Sequence, residues 1–329
     1  MKPRPNGSLP EREARPRFHH SQKSLEEDSM SQSTALSTVG FIGLGTMGRE
    51  MALNLMKAGM TVGVFDVRRE AVEELAALGA YAASSAADAA RSADAAITML
   101  PNTPDVEAVV LGEHGLLANP PAGRLLIDMS TIAPVAARRM HAQCAAQGIE
   151  YVDAPVSGGP IGAKNATLTI MAGGTAQAFE TALPFFKAMG TTVTHVGASG
   201  AGQTVKLCNQ LICGINIQAI CEALALGRAS GVDLKQLREV LMGGSAASWM
   251  MDKLAPAMID GEVAAGFRID LMLKDLRLVQ EQAHALNVPL PASSLVTNQY
   301  LDAVAHGEGR NGNQALFRVY DRMTAQTSC

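Results

Sequence analysis

Lys206 and Asn209 stand three residues apart in Thr204-Val205-Lys206-Leu207-Cys208-Asn209-Gln210, so on a helix they share one face. The chain then runs on as the apolar stretch Leu211 to Leu226, interrupted by Asn216, Gln218 and Glu222, which reads as a helix buried on nearly all sides. A lysine at the start of such a helix is seldom without a partner or a task. An amine placed there can give a proton to a developing alkoxide, or take one up if burial lowers its pKa. The alternative is that Lys206 snorkels to solvent near the helix end. A further pair, Lys274-Asp275, lies in an apolar helical stretch and reads equally well as function or as a solvated face.

Two loop segments follow strand-like runs. Asp128-Met129-Ser130-Thr131 is one; Asp153-Ala154-Pro155-Val156-Ser157-Gly158-Gly159-Pro160 is the other. The hydroxyl of Ser157 and the bare backbone of Gly158 and Gly159 can form a nest of donors for a carboxylate, although a plain Gly-Pro loop reads the same way.

A third feature handles phosphate. Val39 to Ile42 is a short β-forming run that ends in Gly43-Leu44-Gly45-Thr46-Met47-Gly48, followed by a helical segment to Lys57. In a strand–turn–helix context this spacing has a mechanism. Gly43 permits the tight turn, Gly45 lets a pyrophosphate approach the backbone, and Gly48 lets the helix pack close to the strand. The helix N-terminus offers N–H groups and a positive dipole end. The next apolar run, Thr61 to Phe65, ends in Asp66, about 20 residues past the glycines, where an acid can hold the ribose hydroxyls of NAD. Asp66 would also repel a 2′-phosphate, so NAD is expected over NADP; Arg68 and Arg69 are the counter-argument.

These groups need elements to hold them. Residues 39 to 196 alternate strand-like and helix-like segments: Ala95 to Leu100 broken by Pro101, Leu125 to Asp128, Glu150 to Asp153, Thr167 to Met171 and Thr192 to Val196. Ser85 can cap a short alanine-rich helix with Asp88 near its start. Strands apolar on both faces imply a doubly wound, mainly parallel sheet. After Gly202 the pattern becomes helical throughout, over 203–230, 233–242, 246–260, 270–286 and 292–305. The expected organisation is a disordered tail at 1–36, a dinucleotide-binding domain at 37–198 and an all-α substrate and oligomerisation domain at 199–329. Residue composition marks the tail, which is polar and mixes both charges. Met30 is a plausible natural start.

With 329 residues, 47% hydrophobic, the chain can build a large core, and a net charge of −4 leaves no electrostatic footprint for nucleic acid or an acidic membrane. Cys144, Cys208, Cys213, Cys221 and Cys329 are scattered without C-x-x-C spacing, as in the reducing cytoplasm. No H-E-x-x-H is present, so no metal site is expected. Trp249 follows Ser248 in a loop-like segment and reads as an ordinary core tryptophan, with a place in the pocket wall as the alternative.

Taken together, Gly40 to Gly48, Asp153 to Gly159, Gly200 to Asn209 and Lys274-Asp275-Leu276 resemble the β-hydroxyacid dehydrogenase family, over about residues 38–324. The resemblance implies a Rossmann α/β domain followed by an all-α domain. It implies Lys206 as the catalytic acid–base group with Asn209 beside it, and Ser157, Gly158 and Gly159, aided by Ser130, as the carboxylate site. It implies that Gly43, Leu44, Gly45, Met47, Gly48, Asp66, Leu100, Pro101, Thr131 and Lys274 contact the cofactor. The substrate would be a small carboxylate, with tartronate semialdehyde reduced to glycerate as first expectation and 3-hydroxyisobutyrate as the alternative. Asn209-Gln210, the run 216–223 and Met242-Gly243-Gly244 look more like the first branch. A homodimer or homotetramer is expected. A non-catalytic dinucleotide sensor remains as a reading of another class. One departure stands out: the family reads G-A-x-x-G-T-L where this chain has Gly162 to Leu168 with Ala166 in place of the glycine. Alanine does not adopt positive φ cheaply, so Asn165 is expected to take the turn.

Overall fold

Val39, Phe41 and Ile42 of the first strand, β1 (Thr38–Ile42), are almost wholly buried, as befits a central parallel strand covered on both faces. The computed structural model describes residues 38–324; the expected tail at 1–36, the Met30 start and Cys329 lie outside the described residues. From β1 the chain continues through α1 (Thr46–Lys57), β2 (Thr61–Phe65), α2 (Arg69–Ala76), β3 (Tyr81–Ala82), α3 (Ala86–Ala90), β4 (Ala95–Thr98), α4 (Thr103–Leu111), β5 (Leu125–Asp128), α5 (Pro134–Ala145) and β6 (Glu150–Asp153). These six strands pair in parallel in the order β3-β2-β1-β4-β5-β6. The order reverses between β1 and β4, which is where an open α/β sheet leaves a crevice at its carboxyl edge.

Beyond β6 the sheet changes direction. β7 (Val156–Ser157) precedes the short α6 (Gly159–Lys164); β8 (Leu168–Gly173) pairs antiparallel with both β6 and β7; α7 (Ala176–Met189) leads to β9 (Gly190–Gly197), parallel to β8. One core packs α1 and α7 against one face, around Phe41, Leu55, Phe185 and Phe186. The other packs α4 and α5 against the opposite face, around Ile42, Val106, Met140 and Tyr151. The expected doubly wound, mainly parallel sheet is present. The two-residue strands β3 and β7 carry no alternation long enough to read from sequence.

The remaining described elements are helical: α8 (Ala201–Ala229), α9 (Leu234–Met242), α10 (Trp249–Lys253), α11 (Ala255–Asp260), α12 (Ile269–Leu286), α13 (Pro291–Ala305), two 3-10 turns at Glu308–Arg310 and Asn313–Leu316, and α14 (Phe317–Thr324). Their core gathers Ile217, Cys221, Leu224, Leu276, Val296, Tyr300 and Phe317 around α8. The segment read as one helix over 246–260 is two, because Pro256 sits in the first turn of α11 and lacks the N–H a continuous helix would need. Ser85 caps α3 by accepting the Asp88 N–H, as expected.

Three further expectations are corrected. First, α8 is long and apolar enough to cross a membrane by length and composition, and half of its most apolar window is buried. It is not covered on nearly all sides, since Ile212 is 56% exposed and Leu226 70% exposed. Second, Trp249 is 55% exposed and opens α10, with Ser248 as its cap, rather than sitting in the core. Third, Ala166 itself holds positive φ, at +54°, while Asn165 is at −91°. The helix end explains this. Thr167 N–H reaches back to Gly162 O at 2.9 Å, closing α6 with a left-handed residue one place past Asn165. Ala166 therefore carries strain that glycine would not. Ala166→Gly is expected to raise stability by about 1 kcal/mol, read as a higher urea midpoint with an unchanged slope; a lower midpoint would show that this backbone is not strained.

Candidate active site

The carboxyl edge of the sheet gathers the turn after β1 and the loops after β4, β5 and β6. Gly43 has φ +98°, a conformation that favours glycine. A Cβ on Gly48 would lie 1.9 Å from Gly43 O, so the third glycine lets α1 touch the turn. A Cβ on Gly45 would meet nothing within 4 Å, and no side chain caps α1, so the backbone there faces open space. This edge fits a dinucleotide phosphate. Asp66 ends the β2 run. Its Oδ2 accepts Leu44 N–H at 2.7 Å, and its Oδ1 accepts Arg68 N–H at 2.8 Å and Arg68 Nε at 3.2 Å. Burial works against its charge, but these N–H groups hold it below the ordinary carboxylate value. Arg68 also donates to Leu44 O, whereas Arg69 pairs outward with Glu73.

The loops after β4 and β5 are tied together. Ser130 Oγ accepts Leu100 N–H at 2.8 Å, and Thr103 Oγ1 accepts Ala133 N–H at 3.1 Å. Ser130 is fully buried, so the structure does not present it in the same open space as Gly159, whose built Cβ would meet nothing within 4 Å. Gln203 fastens this loop to α8: Nε2 donates to Ser130 O at 2.8 Å and Oε1 accepts Ile132 N–H at 3.0 Å.

Asp153, at the end of β6, holds the first turn of α8. Its Oδ1 accepts Gly200 N–H at 2.7 Å and its Oδ2 accepts Gln203 N–H at 2.9 Å. The neighbouring strand end carries Asp128, register partner of Asp153, which accepts from Thr98 Oγ1 and Ser130 N–H. Burial pushes Asp128 up to about 6; burial, with Asp128 alongside, pushes Asp153 up to about 7. Neither carboxylate touches the open edge. Asp153 is the anchor that fixes where α8 begins, and therefore where Lys206 sits one and a half turns later.

From that start, the polar side chains of α8 form one connected cluster. Lys206 is 6% exposed, so it does not snorkel. Its Nζ donates to Gln210 Oε1 at 2.9 Å, and Asn209 Nδ2 donates to the same oxygen at 2.8 Å. Ser157 Oγ lies 3.5 Å from Asn209 Oδ1, at the edge of hydrogen-bonding distance. Gln210 Nε2 donates to Asp275 Oδ2 at 2.5 Å; Asp275 pairs with Lys274 at 2.7 Å; Lys274 Nζ donates to Thr131 O at 2.7 Å. Asp275 is 1% exposed, so the Lys274-Asp275 pair is no solvated face. Burial lowers the Lys206 pKa, with Asp275 opposing. The Ser157 loop adds Gly158 at φ +129° and Gly159 at +61°, a backbone that needs glycine at both places.

The structure thus brings together Lys206, Asn209, Ser157, Thr131 and Lys274 through two residues the sequence reading left without a site role, Gln210 and Asp275. Gln203 was missed as well. The signal was there: positions 203, 206 and 210 recur at i, i+3 and i+7, three polar residues on one face of an apolar helix.

Comparison with known proteins agrees with this geometry. Residues 38–197 match the NAD binding domain of 6-phosphogluconate dehydrogenase, and residues 200–320 match the NAD-binding domain of NADP-dependent 3-hydroxyisobutyrate dehydrogenase. The chain belongs to the β-hydroxyacid dehydrogenase family. It is an NAD(P)-dependent oxidoreductase. It is 40% identical over 287 residues to the 2-(hydroxymethyl)glutarate dehydrogenase of Eubacterium barkeri, spanning 87% of this chain and 95% of that protein. It is 39% identical over 285 residues to the 2-hydroxy-3-oxopropionate reductase of Escherichia coli, spanning 87% and 97%. Among solved structures it is similar to the 3-hydroxyisobutyrate dehydrogenase of Mycobacterium tuberculosis with L-serine, at a TM-score of 0.80 and 34% identity, covering 88% of this chain and 100% of that one.

Proposed function

We propose that this enzyme interconverts a small 3-hydroxy acid and its semialdehyde, with Lys206 as the acid–base group and tartronate semialdehyde as the preferred substrate. The observation that carries the reading is the single hydrogen-bonded cluster that joins a buried amine to Ser157 on one side and to Thr131 and Lys274 on the other. In this reading residues 37–198 bind the dinucleotide and residues 199–329 complete the substrate site. Gly43, Leu44, Gly45, Met47 and Gly48 would hold the pyrophosphate; Asp66 would hold the ribose; Leu100, Pro101, Thr131 and Lys274 would line the nicotinamide end. The bound cofactor supplies or accepts the hydride.

The chain's own residues do the rest. The Ser157-Gly158-Gly159 loop anchors the carboxylate through N–H groups and a hydroxyl. Ser130 accepts from Leu100 N–H and donates to Asp128, so it joins only if its proton turns away from Asp128. In reduction, the Lys206 ammonium stabilises the developing alkoxide and protonates it. In oxidation, the neutral amine, favoured by burial, takes the hydroxyl proton. Asn209 and Ser157 lie together, so a 2-hydroxyl would find partners there. A site built to bond a hydroxyl discriminates strongly against an analogue that lacks it.

The test is a panel of tartronate and methylmalonate semialdehydes, with glycerate, 3-hydroxyisobutyrate and L-serine in the oxidative direction, each assayed with NAD(H) and NADP(H). The expected result is the highest kcat/KM for tartronate semialdehyde with NADH. A higher value for methylmalonate semialdehyde overturns the choice of substrate. A preference for NADP(H) above tenfold overturns the role given to Asp66.

A further inference from the structure

The cluster places a neutral amide between a buried amine and a buried carboxylate. Gln210 lies one helical turn beyond Lys206, and Lys206, Gln210 and Asp275 are all buried. The orientation of the Gln210 amide is dictated by its neighbours. The Lys206 ammonium and the Asn209 amide nitrogen only donate, so they require Oε1; the Asp275 carboxylate only accepts, so it requires Nε2. Asp275 also lies 2.7 Å from the Lys274 ammonium, while its charge still raises the Lys206 pKa.

We infer that Gln210 is a positioning residue that keeps Lys206 one amide away from Asp275, so that the lysine exchanges its proton readily enough to serve both directions of the reaction. The inference rests on the acid–base role proposed for Lys206. A buried carboxylate in direct contact with an ammonium favours the charged form and holds the proton; an amide oxygen accepts a hydrogen bond from the ammonium without that full charge. The titratable groups that face Lys206 are Asp275 and Lys274 from α12 and Cys213 from its own helix. Lys274 opposes Asp275, so the balance at Lys206 depends on what stands between it and the carboxylate. Asn209 shares the same acceptor oxygen, which fixes the amide against rotation whichever protonation state Lys206 is in.

Gln210→Glu replaces the amide with a carboxylate of nearly the same shape. Gln210→Met has a similar length and can make neither bond. The measurement is kcat against pH in both directions, with cofactor affinity and melting temperature as controls. Oxidation needs the neutral amine, so it rises with pH through the Lys206 pKa; reduction needs the ammonium, so it falls through the same value. In Gln210→Glu both limbs are expected to move up by about one pH unit, costing oxidation about tenfold below the limb while sustaining reduction above it. In Gln210→Met both limbs move down, and this variant decides the matter if the glutamate variant does not fold. Limbs that stay at the wild-type position in both variants, with rates falling equally in the two directions, would overturn the inference and leave Gln210 merely structural. The same shift is read without turnover from the pH dependence of Lys206 acetylation by acetic anhydride, resolved by peptide mass spectrometry. A wild-type enzyme inactive on every hydroxy acid would remove the proposed reaction, whereas the acetylation profile would still confirm or refute the effect of Gln210 on Lys206.

Discussion

Lys206→Ala is expected to fold, to bind dinucleotide and to turn over at least about 10²-fold more slowly. In the proposed mechanism the loss falls on kcat, because the ammonium would act on charge that develops only during hydride transfer; substrate binding would rest on the Ser157 loop and should change less. Stability should hold for a separate reason. The amine is desolvated, and what it leaves behind is Gln210 Oε1, which still accepts from Asn209. The variant therefore opens a small cavity without orphaning a buried acceptor. Three measurements settle it: single-turnover rate, NADH binding by fluorescence, and thermal melting. Near-normal kcat with normal melting would end the acid–base assignment and return Lys206 to the status of a buried structural lysine.

Much of this arrangement is legible in the residues themselves, and the division between what is and what is not has physical causes. The sheet is readable because its strands are buried on both faces and so appear as unbroken runs such as Val39 to Ile42 and Leu125 to Asp128. The glycine motif is readable because Gly43 and Gly48 answer backbone requirements that no other residue meets, while Gly45 keeps the backbone beside them uncovered. Lys206 and Asn209 stand out as polar residues in an apolar helix. What escapes notice is what depends on distant contact. Asp275 is ordinary beside Lys274 in sequence, and only the packing of α12 on α8 reveals it as the partner of Gln210. Asp153 belongs to a visible motif, but its task of capping α8 joins residues 47 and 50 positions apart. The exposed side of α8 and the exposure of Trp249 fail for a related reason: an apolar residue reads as core whether its cover comes from its own chain or from elsewhere. Ala166 fails because the end of a six-residue helix is set by its hydrogen bonds, and the local preference of Asn165 for left-handed backbone loses to them.

The glycine motif allows a sharper test, because its second and third glycines are needed for opposite reasons. Gly45→Ala is expected to melt within about 2 °C of the wild type and to bind NADH at least tenfold more weakly. A Cβ there meets nothing within 4 Å, and its φ of −67° suits alanine, so the protein itself gains no clash. In the proposed site the methyl group instead occupies the space through which a pyrophosphate would reach the backbone. Gly48→Ala is expected to lose stability first. Its Cβ would lie 1.9 Å from Gly43 O, a backbone atom with no rotamer to yield, so α1 must shift away from the turn. A displacement of that kind costs about 3 kcal/mol or more, which lowers Tm by roughly 10 °C in a domain of this size. NADH binding is expected to fall as a consequence, since in the proposed site α1 carries the N–H groups that would face the phosphate. Thermal melting and NADH titration on both variants separate the cases. If Gly45→Ala binds NADH normally, the dinucleotide does not pass over this backbone and the cofactor site proposed for Gly43 to Gly48 is wrong.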